Sequence, residues 1–194
     1  MSGLGAMMAG GNGRGKPDKE WYPTPREATA AFLRAELGKI LDLCDGYVRE
    51  PACGDGALAC VLEDHGLMVE ASDLVARGYG VAGLDYLTWR PKGRMPGIIT
   101  NPPFSLAEKF IRHSLALGAP YVGMYLKASY FHAIDRDLLW GEHRPAMIYA
   151  LTFRPDSLGL GAPTMEAGWF VWRRRYRDDF VDAAAYRRLG KVDE

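Results

Sequence analysis

From Tyr47 to Trp172, short apolar stretches of strand type alternate with stretches of helix type, and no other feature of the chain constrains its fold as much. Residues 47–50 read as a strand that runs into a glycine turn at 51–56. Residues 57–65 follow as a short helix with Leu58, Val61 and Leu62 on one side, and Gly66 stops it. Residues 67–73 read as a second strand, and a weaker third falls around Leu84, Asp85 and Tyr86. Residues 97–100 read as a buried strand that stops at Asn101-Pro102-Pro103. Ser105 and Glu108, spaced as a capping box, open a helix through Leu117. Further strands are expected at 121–126, 146–151 and 169–172, the last two near enough in sequence to pair antiparallel. This alternation predicts an α/β chain: a Rossmann-like, doubly wound, mostly parallel sheet of seven strands with an antiparallel last strand. In such a sheet, ligands sit beyond the carboxyl ends of the strands.

Ahead of the alternation, residues 1–20 are Gly-rich and polar and read as a flexible tail carrying Arg14, Lys16 and Lys19 beside Trp21. This leaves 21–194 as a single domain. Thr24 is placed to N-cap a first helix, with Pro25 at its first position and Glu27 closing a capping box. Leu33, Leu37, Ile40, Leu41 and Cys44 repeat at helical spacing as its buried face, and Gly46 ends it. Among 194 residues, 24 Lys and Arg balance 24 Asp and Glu, so the chain has no net charge with which to coat a nucleic acid. A nucleic-acid partner would need a local basic patch. No apolar run approaches membrane-spanning length. The three cysteines, Cys44, Cys53 and Cys60, are odd in number and lack metal-site spacing with His65, His113, His132 or His143, which predicts a reducing cytoplasm and no metal.

Two segments carry chemistry. Glu50-Pro51-Ala52-Cys53-Gly54-Asp55-Gly56 is a strand end, a glycine turn and a helix start, where backbone can approach a ligand closely. Ala59 stands where a dinucleotide fingerprint would place its third glycine, so this loop alone is equally a tight structural turn. Asn101-Pro102-Pro103-Phe104 is sharper. An amide and a rigid proline carbonyl can together accept both protons of a planar exocyclic amine, which drives the nitrogen toward tetrahedral geometry and frees its lone pair. Phe104 offers a flat apolar face for a flipped base.

These segments resemble S-adenosylmethionine-dependent methyltransferases. Glu50 to Gly56 is similar to their motif I, Asn101 to Phe104 to the catalytic motif IV of amino-methyltransferases, and Tyr22-Pro23-Thr24-Pro25 to motif X of the DNA adenine-N6 group. The order X–I–IV matches the gamma arrangement, and residues 100–107 resemble compact phage- or prophage-type enzymes. The resemblance implies S-adenosylmethionine as cofactor, with Tyr22, Thr24, Glu50, Ala52, Gly54, Gly56, Asp73, Asp85, Tyr86 and Asn101 around it. Asp73 would meet its ribose, Asp85 and Tyr86 its adenine, and Thr24 its carboxylate. Asn101, Pro102, Pro103 and Phe104 would be catalytic. The implied acceptor is adenine N6 in DNA. RNA bases and a protein glutamine remain open as acceptors, as does a non-catalytic accessory subunit.

The chain lacks the room for a separate target-recognition domain after its last strand, so inserts, a homodimer partner or a recognition subunit would read the target. Lys127 to Arg144, with Lys127, Tyr130, Phe131, His132 and Arg136, and Phe153 to Ala167, with Arg154, are the inserts expected near the substrate. Phe104, Lys127 and Arg154 are its expected contacts. The basic run Arg173-Arg174-Arg175-Tyr176-Arg177 reads either as a phosphate grip or as a solvated strand end leading into a terminal helix.

Overall fold

The computed structural model describes residues 21–132, 136–156, 166–173 and 185–190. The elements are α1 (Arg26–Cys44), β1 (Tyr47–Glu50), α2 (Ala57–Asp64), β2 (Met68–Asp73), β3 (Val81–Ala82), β4 (Gly97–Thr100), α3 (Ala107–Ala116), β5 (Tyr121–Lys127), α4 (Asp137–Glu142), β6 (Met147–Leu151), β7 (Ala167–Arg173) and β8 (Ala185–Leu189). The strands form one sheet in the order β3-β2-β1-β4-β5-β7-β6-β8. The pairs β2–β3, β1–β2, β1–β4 and β4–β5 are parallel, while β7 is antiparallel to both β5 and β6. The doubly wound sheet with its antiparallel β7 is the expected one.

Alternation along the strands sorts the core onto two faces. Val48, Ile99, Tyr121, Tyr125, Trp169 and Val171 meet α1 and α2, while Ile98, Val122, Met124, Leu126, Phe170 and Trp172 meet α3 and α4. Gly123 leaves space for Phe32 of α1, because a Cβ there would stand 3.1 Å from the Phe32 ring. Phe32 thereby lies flat on Trp169, with ring centroids 4.1 Å apart and planes 14° apart, and the indole N–H of Trp169 donates to the Ala28 carbonyl at 3.1 Å. A carboxylate lies in the same layer. Glu36 is fully buried, accepts hydrogen bonds from the Tyr121 and Tyr149 hydroxyls and pairs with Lys39 at 2.7 Å, which ties α1 to β5 and β6. Burial and the Glu36 charge push the Tyr121 phenol well up, so it stays a hydrogen-bond donor.

Several expectations are corrected. Leu41 is 44% exposed, and the buried face of α1 runs instead through Ala28, Phe32, Leu33, Glu36, Ile40 and Cys44. Pro25, rather than Thr24, is the N-cap of α1, with no side-chain cap bond. α3 starts at Ala107 behind a 3-10 turn, Phe104–Leu106, and Glu108 pairs with Arg112 at 2.8 Å. The third strand is Val81–Ala82, because Asp85 instead accepts the Leu87 N–H at 2.9 Å and closes a 3-10 turn, Tyr86–Thr88. Ala185–Leu189 is an eighth strand rather than a helix. It pairs parallel with β6 and covers what would otherwise be an open sheet edge. Arg14, Lys16, Lys19 and residues 174–177 lie outside the described residues, as do 157–165 of the second insert.

Phe32→Ala removes the ring sandwiched between Gly123 and Trp169. Urea unfolding should show a loss of about 3–5 kcal/mol, the range for emptying a buried aromatic site.

Candidate functional site

Because β1, β2 and β4 run parallel, their carboxyl ends reach the same edge of the sheet. There Glu50, Asp73 and Asn101 line one cleft of about 280 Å³. Tyr22, Thr24, Ala52, Pro102, Pro103 and Phe104 line it too. The loop between β1 and α2 gives it its floor. Gly54 and Gly56 have φ of 57° and 86°, which side chains rarely adopt, and Gly56 is the N-cap of α2. A Cβ at Gly54 would collide with Trp21 Nε1, and one at Gly56 would stand 2.5 Å from the Tyr79 ring. Asp73 anchors this loop. One carboxylate oxygen accepts the Gly54 N–H at 2.9 Å and the other accepts the Val75 N–H at 2.8 Å.

Glu50 is 1% exposed, and its Oε2 has no hydrogen-bond partner among the described residues. Burial lifts its carboxyl well above the usual carboxylate range. The Ala59 amide opposes that rise, and the nearby Asp73, Asp55 and Glu63 add to it. An orphaned carboxylate oxygen on a cleft wall suits a cationic ligand group. Cys53 lies on the same wall, but burial and then the charges of Glu50 and Asp73 push its thiol up to about 12, so it stays protonated and is no nucleophile.

Asn101 follows β4 directly, and its amide orientation is set by the segment before α1. Its Nδ2 donates to the Tyr22 carbonyl at 2.9 Å and to the Thr24 hydroxyl at 3.1 Å. This is why Thr24 does not cap α1. With both amide hydrogens engaged, Oδ1 is the end left to accept from a ligand. Pro102 and Pro103 carry the chain from Asn101 to Phe104, whose ring stacks on Tyr22 with centroids 5.9 Å apart. Lys127, at the end of β5, places its ammonium 4.7 Å from the centre of the Phe104 ring. Arg154, at the base of the second insert, pairs with Glu166 at 2.9 Å, while the Glu166 carbonyl accepts the Ala128 N–H at 2.9 Å.

Several expected residues do not line the cleft: Gly54 and Gly56 stand behind it, facing Trp21 and Tyr79, Lys127 and Arg154 lie outside its lining, and Tyr86 and Asp85 are elsewhere. Tyr86 is 2% exposed among Trp89, Phe110 and His113, and its hydroxyl meets Ser114 at 2.8 Å. It is a core residue of the α3 face, because the 3-10 turn rotates it inward, and it does not line the cleft. Asp85 is exposed and engaged with the Leu87 amide, also outside the lining. Of the first insert, Tyr130 is buried beside Trp140 and Phe170, and Arg136 lies over its ring and donates to its carbonyl at 2.6 Å. The side chains of Phe131 and His132 lie outside the described set. The sequence reading missed Leu74, Val75 and Arg77 as lining residues, although apolar residues directly after a strand-ending acid were a legible sign. Arg77 lies over the Trp21 ring at 4.8 Å.

No protein-family model matches the chain, and no curated protein matches it in sequence. Its fold does match solved structures. One is a Listeria monocytogenes protein assigned as a class I S-adenosylmethionine-dependent methyltransferase, with TM-score 0.59 and 15% identity over 89% of this chain and 67% of that one. Another is a Pyrococcus horikoshii protein assigned as an RNA methyltransferase, with TM-score 0.58 and 16% identity over 80% and 87%. The 23S rRNA methyltransferase ErmE follows at TM-score 0.51 and 15% identity over 74% and 68%. The fold is that of the class I methyltransferases.

The raised Glu50 pKa has a measurable sign. Between its unfolded and folded values, folding takes up a proton, so stability falls as pH rises through that window. Glu50→Gln removes this dependence. The variant should melt above the wild type once pH exceeds the window and converge with it in acid, as followed by thermal denaturation across pH.

Proposed function

We propose that the chain is an S-adenosylmethionine-dependent N-methyltransferase whose acceptor is the N6 amine of adenine in DNA. The observation that carries this reading is the Asn101 amide, whose Nδ2 is spent on Tyr22 and Thr24 so that Oδ1 is left to accept, in the cleft that it lines with Glu50 and Asp73. The cleft's residues fit the cofactor. Glu50 has a carboxyl oxygen with no described partner for a cationic group, and Asp73 retains acceptor capacity for hydroxyls. S-adenosylmethionine, when bound, supplies an electrophilic methyl on sulfur.

The chain's own groups do the rest. Asn101 Oδ1 and the Pro102 carbonyl accept the two amine hydrogens, Phe104 holds the base plane, and the nitrogen lone pair is left directed at the methyl carbon. That lone pair would take the methyl of bound S-adenosylmethionine with loss of the sulfur bond, and the proton then in excess on the nitrogen would leave for solvent. Orientation and stabilisation of the positive charge developing on nitrogen supply the rate. Lys127 and Arg154 are the cations at the same sheet end to meet backbone phosphates. Arg154 does so by exchanging Glu166 for phosphate.

Two measurements test this reading. Labelled S-adenosylmethionine offered with DNA, RNA and protein pools should place label in N6-methyladenine of DNA. Label in RNA or in glutamine would move the acceptor, and label in none would favour an accessory subunit. Asn101→Ala should abolish transfer with cofactor affinity nearly unchanged, whereas Glu50→Gln should weaken that affinity by tenfold or more, roughly one charge-assisted bond; both affinities are read by calorimetry.

A further inference from the structure

We infer that Thr24 is the positioning residue of the transfer step: its hydroxyl holds the Asn101 amide in the orientation that presents Oδ1, rather than Nδ2, to the acceptor amine. The inference rests on the reading of Asn101 as the amine's acceptor. An asparagine amide can turn over about its last torsion, and the two ends have opposite hydrogen-bonding character. If it were reversed, Asn101 would present two donors to an amine whose own hydrogens need acceptors, and the site would repel its substrate.

Two acceptors prevent that reversal, and both come from the short segment before α1. The Tyr22 carbonyl takes one Nδ2 hydrogen at 2.9 Å and the Thr24 hydroxyl takes the other at 3.1 Å. Among the described residues no group donates to Oδ1, so the acceptor end is reserved. Thr24 is itself 4% exposed, which keeps water from competing for the amide. The Tyr22 carbonyl is backbone and is present in any substitution, so the side chain at position 24 is the part of this lock that sequence can change. Pro25, which takes the N-cap of α1, leaves the Thr24 hydroxyl free for this duty.

Three proteins and two readouts test the role. Thr24→Val keeps the shape and removes the hydroxyl, and Thr24→Ser keeps the hydroxyl and removes the methyl. In single-turnover assays with the full chain, S-adenosylmethionine and adenine-containing DNA, Thr24→Val should slow transfer by roughly tenfold, the value of one neutral hydrogen bond. Thr24→Ser should restore it, and calorimetric affinity for S-adenosylmethionine should be the same in all three. The second readout needs no acceptor: the side-chain amide of Asn101, assigned by its loss in Asn101→Ala, should exchange its protons with solvent roughly tenfold faster in Thr24→Val than in wild type. Unchanged exchange and an unchanged transfer rate would overturn the inference. So would a loss of cofactor affinity with transfer unaffected at saturation, which would put Thr24 on the cofactor instead. Full transfer by Asn101→Ala would sink the parent reading alone, since the exchange measurement still reports whether Thr24 holds the amide. Should Thr24→Val fail to fold, Thr24→Ala against Thr24→Ser makes the same comparison.

Discussion

Parallel pairing is the constraint from which the site follows. Strands that run the same way must each return across a face of the sheet, so their carboxyl ends accumulate at one edge and their connections leave from it. Here that edge carries Glu50 from β1, Asp73 from β2, Asn101 beyond β4 and Lys127 from β5. These residues are scattered over nearly eighty positions of sequence. Only the register of the central strands brings the first three to one cleft, with Lys127 lying over the Phe104 ring of its wall. Reversing β7 between β5 and β6 adds the base of the second insert to the same edge, where Glu166 meets the Ala128 amide and pairs with Arg154.

The cleft is held together by polar groups that do double duty. Asp73 accepts from the Gly54 and Val75 amides and thereby shapes the loop that a ligand must approach. Asn101 fastens the segment before α1 to the end of β4 while keeping its oxygen available. Glu50 is the exception, since it satisfies no described partner through Oε2 and its burial costs stability once ionised. Such a group is tolerated where a ligand completes it. Glu36, by contrast, is buried and fully engaged by Tyr121, Tyr149 and Lys39, and it belongs to the packing of α1 on the sheet.

A chain this short covers one part of its sheet without a helix. On the face opposite α1 and α2, Arg49 of β1 is 5% exposed, bonded to Glu70 at 3.0 Å and Ser72 at 2.8 Å, with the Trp89 ring lying over its guanidinium at 4.3 Å. Trp89 in turn stacks on Tyr86, which reaches the α3 core. This layer explains why Tyr86 points inward: its ring is the link between the covered strands and α3. The third strand, Val81–Ala82, is by contrast exposed, and it is held by its parallel pairing with Ser72 and Asp73.

Much of this was legible locally. Runs of apolar residues between glycine and proline punctuation predicted six of the seven expected strands to within about two residues, the usual limit for element boundaries. The two chemical segments also announced themselves, because glycines at forced φ and paired prolines act through their own backbones. Long-range partners were not legible in the same way. Thr24 had the spacing of a helix cap, yet its hydroxyl went to Asn101, 77 residues away. Leu41 had the period of a core residue, yet Glu36 took the buried place because two tyrosines from distant strands satisfied it. Ala185–Leu189 became a strand because β6 offered an open edge. The sequence by itself determined the order of elements and the backbone course of the two segments, since both depend on neighbours within a few residues. Which polar group meets which, and therefore which end of Asn101 faces the cleft, was decided only by tertiary structure, because a hydrogen bond between distant residues exists only once the sheet has brought them together.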